Sequence, residues 1–290
     1  MSHGLVAVRP RRSALFMPGS NGRALEKART LAADVLVLDL EDAVAPEMKL
    51  EARAQVAAAI RAGGYGHREI VVRVNPLSTP WGRDDLAAAA AAGADAVLLP
   101  KVEAAETVSA AIAALGPAPA VWCMLETPRG ILNAAAIAAA SPRVTALVMG
   151  TSDLTKDLHA RVTRERVPLR TSLQLCVLAA RSAGITALDG VHLDLDDDAG
   201  FAVACRQAAD FGFDGKTLIH PRQVALANEV FAPAAGEVDW ARRVIAAHAE
   251  ALAGGRGVAV LDGRLIENLH VDDARRVLAL ADAIAERAKH

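Results

Sequence analysis

The chain has 290 residues, a formal net charge of −2 and 53% hydrophobic residues, but only 3% aromatics. That charge gives no basic face for nucleic acid, and so few aromatic rings leave no stacking platform for single strands. The core must be built from Ala, Val, Leu and Ile. The longest Ala-rich stretch, Leu86 to Ala92, is too short to span a bilayer, and the basic Met1 to Arg12 segment has no apolar signal region. Cys123, Cys176 and Cys205 are far apart, with no CxxC or Cys/His cluster. Neither a disulfide framework nor a zinc site is indicated, and the three are expected to be small buried hydrophobes. A soluble, cytoplasmic protein is the expectation, with no nucleic-acid or membrane partner.

Along the chain, short β-rich apolar runs alternate with longer segments of helical periodicity. Ser13–Met17 precedes Gly22–Ala32, Val35–Asp39 precedes Met48–Ala62, and Glu69–Val74 precedes Arg83–Ala92. Ala96–Pro100 precedes Ala104–Leu115, Val121–Glu126 precedes Ile131–Ala139, and Ala146–Gly150 follows. Gly184–Leu188, preceded by Leu169–Ala183, leads into Ala199–Phe211, and Phe213–Ile219 into Arg222–Val230. Strict β-then-α order implies a parallel sheet, and eight strands point to a closed (β/α)8 TIM barrel. Runs such as Val35-Leu36-Val37-Leu38 are continuously apolar, as burial on both faces requires.

Beyond about residue 235 the pattern changes. A helix over Val238–Ala253, a short strand Val258–Leu261, a hairpin turn at Asp262-Gly263 and a charged amphipathic helix Val271–Ala288 follow. We therefore expect a catalytic barrel over 1–235 and a C-terminal lid or oligomerisation arm over 236–290.

In such barrels the active site lies at the C-terminal ends of the strands. Those ends present Asp39, Glu41 and Asp42, then Arg73, Lys101, Glu126 and Asp153, then Asp189, Lys216 and His220. So many converging carboxylates repel unless a cation joins them. Hard oxygen ligands without His or Cys suit Mg²⁺. Glu126 and Asp153 follow adjacent strands, which makes them the expected metal ligands. Arg73 reads equally as a clamp on a substrate carboxylate or as a structural partner of Asp39 or Glu41. Asp39 and Glu41 share a direction, so one of them can orient Arg73 or the metal's waters. Asp42 suits a helix cap. Lys101 and Lys216 raise a Schiff-base aldolase, but neighbouring acids would keep a lysine protonated. His220, before Pro221 and a helix start, reads as a packing or capping residue. Gly19-Ser20-Asn21-Gly22 offers a weak phosphate-loop signal.

Taken together, Phe16-Met17-Pro18-Gly19, Leu38-Asp39-Leu40-Glu41-Asp42, Arg73-Val74-Asn75, Leu99-Pro100-Lys101, Glu126-Thr127-Pro128, Gly150-Thr151-Ser152-Asp153 and Gly215-Lys216-Thr217 through His220-Pro221 resemble the citrate lyase β-subunit-like branch of the HpcH/HpaI aldolase family. The resemblance implies a Mg²⁺-dependent carbon–carbon lyase that cleaves a carboxylated 3-hydroxyacyl-CoA, of malyl-CoA or citramalyl-CoA type, to acetyl-CoA and an α-keto acid. A (3S)-malyl-CoA thioesterase on the same scaffold and the β subunit of a citrate lyase complex are the alternatives. It implies Glu126 and Asp153 as metal ligands, Glu126 thereby also meeting the substrate, and Arg73 at the acyl part. It places Phe16 and Lys27 against the CoA portion. It further implies a homotrimer or hexamer in which the tail covers a neighbour's site. Two positions depart from the family pattern. Asn21 stands where malyl-CoA lyases carry a basic residue, and Glu267 stands where many members carry the tail's acid/base Asp.

Overall fold

The computed structural model describes residues 9–287 and 289. Met1–Val8, most of the basic N-terminal stretch, and Ala288, the expected end of the last helix, lie outside the described residues. The chain forms two compact units. One is Arg11–Phe231; the other comprises the described residues from Ala232 onward with Arg9 and Pro10.

The first unit is a closed barrel of eight parallel strands in sequential order. In chain order it runs β1 (Ser13–Pro18), α1 (Gly22–Ala28), β2 (Val35–Asp39), α2 (Lys49–Ala62), β3 (Glu69–Arg73), α3 (Gly82–Ala92), β4 (Ala96–Leu99), α4 (Ala105–Leu115) and β5 (Ala120–Leu125). It continues with α5 (Pro128–Leu132), α6 (Ala134–Ala138), β6 (Val144–Met149), α7 (Thr151–Asp157), α8 (Arg170–Ala183), β7 (Thr186–Asp189), α9 (Asp198–Phe211), β8 (Gly215–Leu218) and α10 (Val224–Val230). Pairing of Ser13, Ala14 and Leu15 with Lys216, Thr217 and Leu218 closes the ring.

The apolar runs divide by parity, because successive side chains in a strand point to opposite faces. Val35, Val37, Val71, Leu98, Trp122, Met124 and Val148 fill the barrel interior. Leu36, Leu38, Val72, Leu99, Cys123 and Leu147 face outward and pack with the helices. All three cysteines are buried and free. In β6 the parity shifts. Val121 pairs with Val144, but Trp122 pairs with Ala146, so Thr145 is an extra residue at a bulge. Val144 belongs to the outer layer and Ala146 to the interior.

The N-terminal end of the barrel is closed by Arg11. Its guanidinium makes a fork with Glu69 (2.7 and 2.8 Å), donates to Thr186 Oγ1 (2.8 Å) and lies 5.0 Å from the Trp122 ring centroid.

One helical expectation changes, and one helix is unexpected. Ile131–Ala139 is two short helices, the first capped by Thr127, whose hydroxyl accepts from the Gly130 amide at 3.1 Å. Thr151–Asp157, named in the sequence only through a strand-end motif, is a helix. Asp153 therefore sits in a first helical turn, where the helix dipole favours a carboxylate.

The second unit pairs α11 (Ala235–Ala253) with α12 (Asn268–Arg287) and includes the antiparallel strands β9 (Ala259–Leu261) and β10 (Arg264–Ile266). Asp262 and Gly263 have φ of 50° and 76°. Both central residues of a type I′ hairpin turn need positive φ, so the expected turn forms. Ala241, Val244, Ala251, Ala259, Ile266 and Val271 make this unit's own core.

Candidate active site

The interior parity of three strands runs on to their C-terminal ends. Val37 leads to Asp39, Val71 to Arg73 and Met124 to Glu126, and all three polar residues are buried. The barrel thus delivers charged side chains to its mouth by the same alternation that fills its core.

Arg73 is gripped from one side. Its Nε donates to Asp39 Oδ1 (2.7 Å) and its Nη2 to Asp39 Oδ2 (2.6 Å), a planar fork matched to a carboxylate. Nη1 lies 2.9 Å from Glu41 Oε2 and 3.3 Å from the exposed Asp42. The Phe16 ring centroid lies 4.7 Å from the guanidinium carbon. Burial alone would lower the pKa of Arg73, but Asp39 above all, then Glu41 and Asp42, outweigh it and hold the cation charged. The Asp39 oxygens also accept from the Glu41 and Ala43 amides at 2.9 and 3.1 Å, which shapes the turn after β2.

Lys101 links the remaining carboxylates. Its Nζ is 2.6 Å from Glu41 Oε1 and 3.6 Å from Asp153 Oδ2, and its amide donates to Glu126 Oε1 at 2.6 Å. Its φ is 51°, a left-handed conformation that a lysine rarely adopts. The strain sits where one residue's amide and ammonium both meet acids. Burial would lower the ammonium's pKa, but Glu41 and the other acids raise it, which disfavours the free amine that a Schiff base requires. Burial raises the Glu126 carboxyl to about 7 against the opposing pull of Lys101, and also raises Glu41 against Arg73 and Lys101. Glu126 keeps its pose because its neighbour has no side chain. A Cβ on Gly150 would lie 2.4 Å from Glu126 Cβ and 2.6 Å from Oε2.

The donor chemistry fits a hard cation. Glu126 and Asp153 offer only oxygens, and Glu41, Glu126 and Asp153 surround a single ammonium. Among the described residues no group of three or more His, Cys, Asp or Glu is arranged to hold a metal by itself. Mg²⁺ commonly takes one or two carboxylates and completes its shell with water and substrate oxygens.

Asp189, Lys216 and His220 do not join this ring. Asp189 and Lys216 have outward parity, with Ala187 and Leu218, and pair at 2.6 Å beneath the helices. Arg166 completes a buried triad, bonding both Asp189 oxygens (2.8 and 2.7 Å) and reaching the Ala204 carbonyl and Gln207 of α9. Burial pushes the Asp189 carboxyl up, but Lys216 and Arg166 together hold it below the ordinary range. His220 is a cap, its Nδ1 accepting from the Arg222 amide at 3.2 Å. Asp42 caps nothing; the following turn begins at Ala45 without a side-chain cap. Asn21 caps α1 by accepting from the Ala24 amide at 3.1 Å, and Lys27 is exposed on that helix. Glu267, in the second unit, is exposed; its amide donates to His270 Nδ1 at 3.0 Å at the start of α12.

Sequence reasoning missed a supporting network. Lys49 and Asn75 both bond the Leu40 carbonyl, and Asp85 holds Asn75. Lys49 opens a helix and Asp85 stands in an acidic first turn, where a solvated face is the ordinary expectation. Only the Arg73-Val74-Asn75 motif pointed toward it.

An eight-stranded α/β barrel with acids, an arginine and a lysine gathered at its C-terminal mouth defines an enzyme scaffold. Residues 12–221 match the HpcH/HpaI aldolase/citrate lyase family, and the chain belongs to that family. It is 52% identical over 276 residues to a (3S)-malyl-CoA thioesterase of Cereibacter sphaeroides strain KD131, covering 95% of this chain and 96% of that one. It is 38% identical over 284 residues to the citrate lyase subunit beta of Escherichia coli K12, covering 94% of each. Among solved structures it is similar to the protein CitE from Mycobacterium tuberculosis in complex with magnesium, acetoacetate and coenzyme A. There the TM-score is 0.78 at 33% identity, over 95% of this chain and 99% of that one.

Proposed function

We propose that this protein is a Mg²⁺-dependent hydrolase of a carboxylated hydroxyacyl-CoA thioester of the malyl-CoA type. The observation that carries the reading is the similarity to malyl-CoA thioesterases at 52% identity over 95% of the chain. The acid-lined mouth supports it, since Glu126 and Asp153 suit a magnesium ion like that named in the CitE complex. The order of preference thereby differs from the sequence expectation, which put carbon–carbon cleavage first.

Glu126 and Asp153 would hold the ion, which supplies Lewis acidity toward the substrate's oxygens. Asp39 uses one edge of Arg73, and the Nη1 edge remains to meet the substrate carboxylate in place of the exposed Asp42. Phe16 lies against the Arg73 guanidinium, and with Lys27 on α1 it would contact the CoA portion. Glu267, from the tail of a neighbouring subunit in a trimer or hexamer, would take a proton from the attacking water. Water adds to the thioester carbon, the C–S bond breaks, and the CoA thiolate leaves with the proton. A cytoplasmic location belongs to the same reading.

The second reading is carbon–carbon cleavage, favoured by the citrate lyase β subunits at 38% identity. Product analysis separates the two. Incubation with Mg²⁺ and malyl-, citramalyl- or β-methylmalyl-CoA should yield free CoA and intact hydroxy-diacid. Glyoxylate or pyruvate with an acyl-CoA would instead mean lyase chemistry. Full activity with the metal chelated, or in Glu126→Ala, would overturn the metal assignment. Mixing inactive Glu126→Ala and Glu267→Ala chains should restore activity if Glu267 acts across subunits.

A further inference from the structure

Among the described residues Glu41 is the one carboxylate in contact with both Arg73 and Lys101, and the backbone on either side of it is held by Lys49 and Asn75. The Lys49 ammonium donates to the Leu40 carbonyl (2.8 Å) and the Glu41 carbonyl (2.7 Å), the two that bracket the Glu41 Cα. Asn75 Nδ2 reaches the Leu40 carbonyl as well, at 2.8 Å. Asp85 Oδ2 fixes that amide (2.6 Å) together with the Asn75 backbone N–H (3.0 Å), and Arg53 Nε fixes Asp85 Oδ1 at 2.7 Å.

Burial opposes the charge of Lys49, while Asp39, Glu41, Asp85 and Asp42 nearby favour it. Lys49 is 6% exposed, and lysine is seldom buried. It is also the first residue of α2, at the positive end of the helix dipole. Its printed hydrogen bonds go to carbonyls, and its third side faces the Trp81 ring, 5.6 Å from the centroid. The neighbouring acids favour a cation here but, among the described residues, accept no hydrogen bond from it, so they do not fix where its donors point. Two carbonyls facing one way do, because one three-donor ammonium satisfies both.

We propose that Lys49 is a positioning residue for the reaction, acting through Glu41. By clamping the Leu40 and Glu41 carbonyls it aims the Glu41 carboxylate, which holds the Arg73 Nη1 edge (2.9 Å) and the Lys101 ammonium (2.6 Å) in place. Lys101 in turn carries the amide that orients Glu126. The inference rests on the functional reading above, with Arg73 and Glu126 at the substrate.

The test is a double-mutant cycle in the full-length protein with Mg²⁺ and malyl-CoA. Lys49→Met should lower kcat by about 10- to 100-fold, the range for residues that orient a site's direct ligands, with KM changed less than about threefold. Lys49→Arg should recover part of the loss. Because Lys49 acts through Glu41, Lys49→Met made in a Glu41→Gln background should cost less than about a further twofold. Effects that multiply, or wild-type kcat in a folded Lys49→Met protein, would overturn the proposal. If Lys49→Met does not fold, Lys49→Gln carries the same cycle. A wild type inactive on every CoA ester of the panel would sink the functional reading instead. The positioning is then read from a crystal structure of the variant. Glu41 should leave Arg73 and Lys101, and an unmoved Glu41 would refute it.

Discussion

Asp39 and Arg73 meet as two planar groups, edge to edge, at 2.7 and 2.6 Å in the buried mouth of the barrel. Both expected structural partners of Arg73 are present: Asp39 takes the Nε/Nη2 edge, and Glu41 shares Nη1 with the exposed Asp42. A lysine cannot reproduce the fork. Arg73→Lys should fold but lose turnover by about 100-fold or more, because donors that stabilise charge in a reaction are each worth that much. Asp39→Asn leaves a buried cation short of its partner and should destabilise the fold by about 3–5 kcal/mol. Urea denaturation of both variants beside steady-state kinetics checks the contrast. Equal loss of stability in the two would contradict it.

Glu126 gives a pH dependence with a definite sign. Burial lifts its carboxyl to about 7, so below that pH the metal-free site holds a proton that Mg²⁺ must displace. Apparent Mg²⁺ affinity should fall by about tenfold per unit as pH drops below 7 and level off above it. At pH 6 binding should release close to one proton. Calorimetry in buffers of different ionisation enthalpy measures both, and a pH-independent affinity between 5.5 and 7 would refute the assignment.

Gly150 is the contact on which Glu126 leans. Ala at this position places a methyl 2.4 Å from Glu126 Cβ, and the side chain must swing away. Gly150→Ala should weaken Mg²⁺ binding by about tenfold or more. Far-ultraviolet circular dichroism should stay native. Unchanged Mg²⁺ affinity would show that Glu126 does not hold the ion.

The Arg166–Asp189–Lys216 triad is a stability device. Asp189→Asn strands two buried cations and should cost about 3–5 kcal/mol. The wild-type contribution has the sign of a depressed carboxyl. It is fully present above the unfolded value of about 3.9 and lost as pH falls through the lower folded value. Acid unfolding followed by fluorescence should therefore be less steep below pH 4 in Asp189→Asn than in wild type. An identical acid limb would refute it.

The architecture was legible because a parallel barrel writes itself as short runs buried on both faces, such as Val35 to Leu38. The mouth was legible at Asp39, Arg73 and Glu126 because interior parity continues unbroken into them. It misled at Asp189, which ends its strand on the other parity, and at Lys216, which lies near the start of β8 on that same outward parity. Position along a strand alone cannot tell a mouth residue from one beneath a helix. Asp153 was legible as an acid but not as part of a helix, since a seven-residue helix opening on Gly-Thr-Ser has little periodicity to display. Lys49 was invisible because its partners are backbone carbonyls, which leave no trace in residue types.

The doubled residue at Thr145 has a reach beyond its own strand. Val144 and Ala146, two positions apart, face opposite layers, so everything after them in β6 is displaced by half a strand period. Gly150 comes to Glu126 through that displacement. A regular strand that kept Thr145 without the bulge, with Val144 still pinned outward, would offer Met149 to the interior and turn Gly150 toward the helices. The spacing between Val144 and Gly150 therefore works as a phase setting: the chemistry at the top of β6 constrains how many residues the strand contains, as well as which ones.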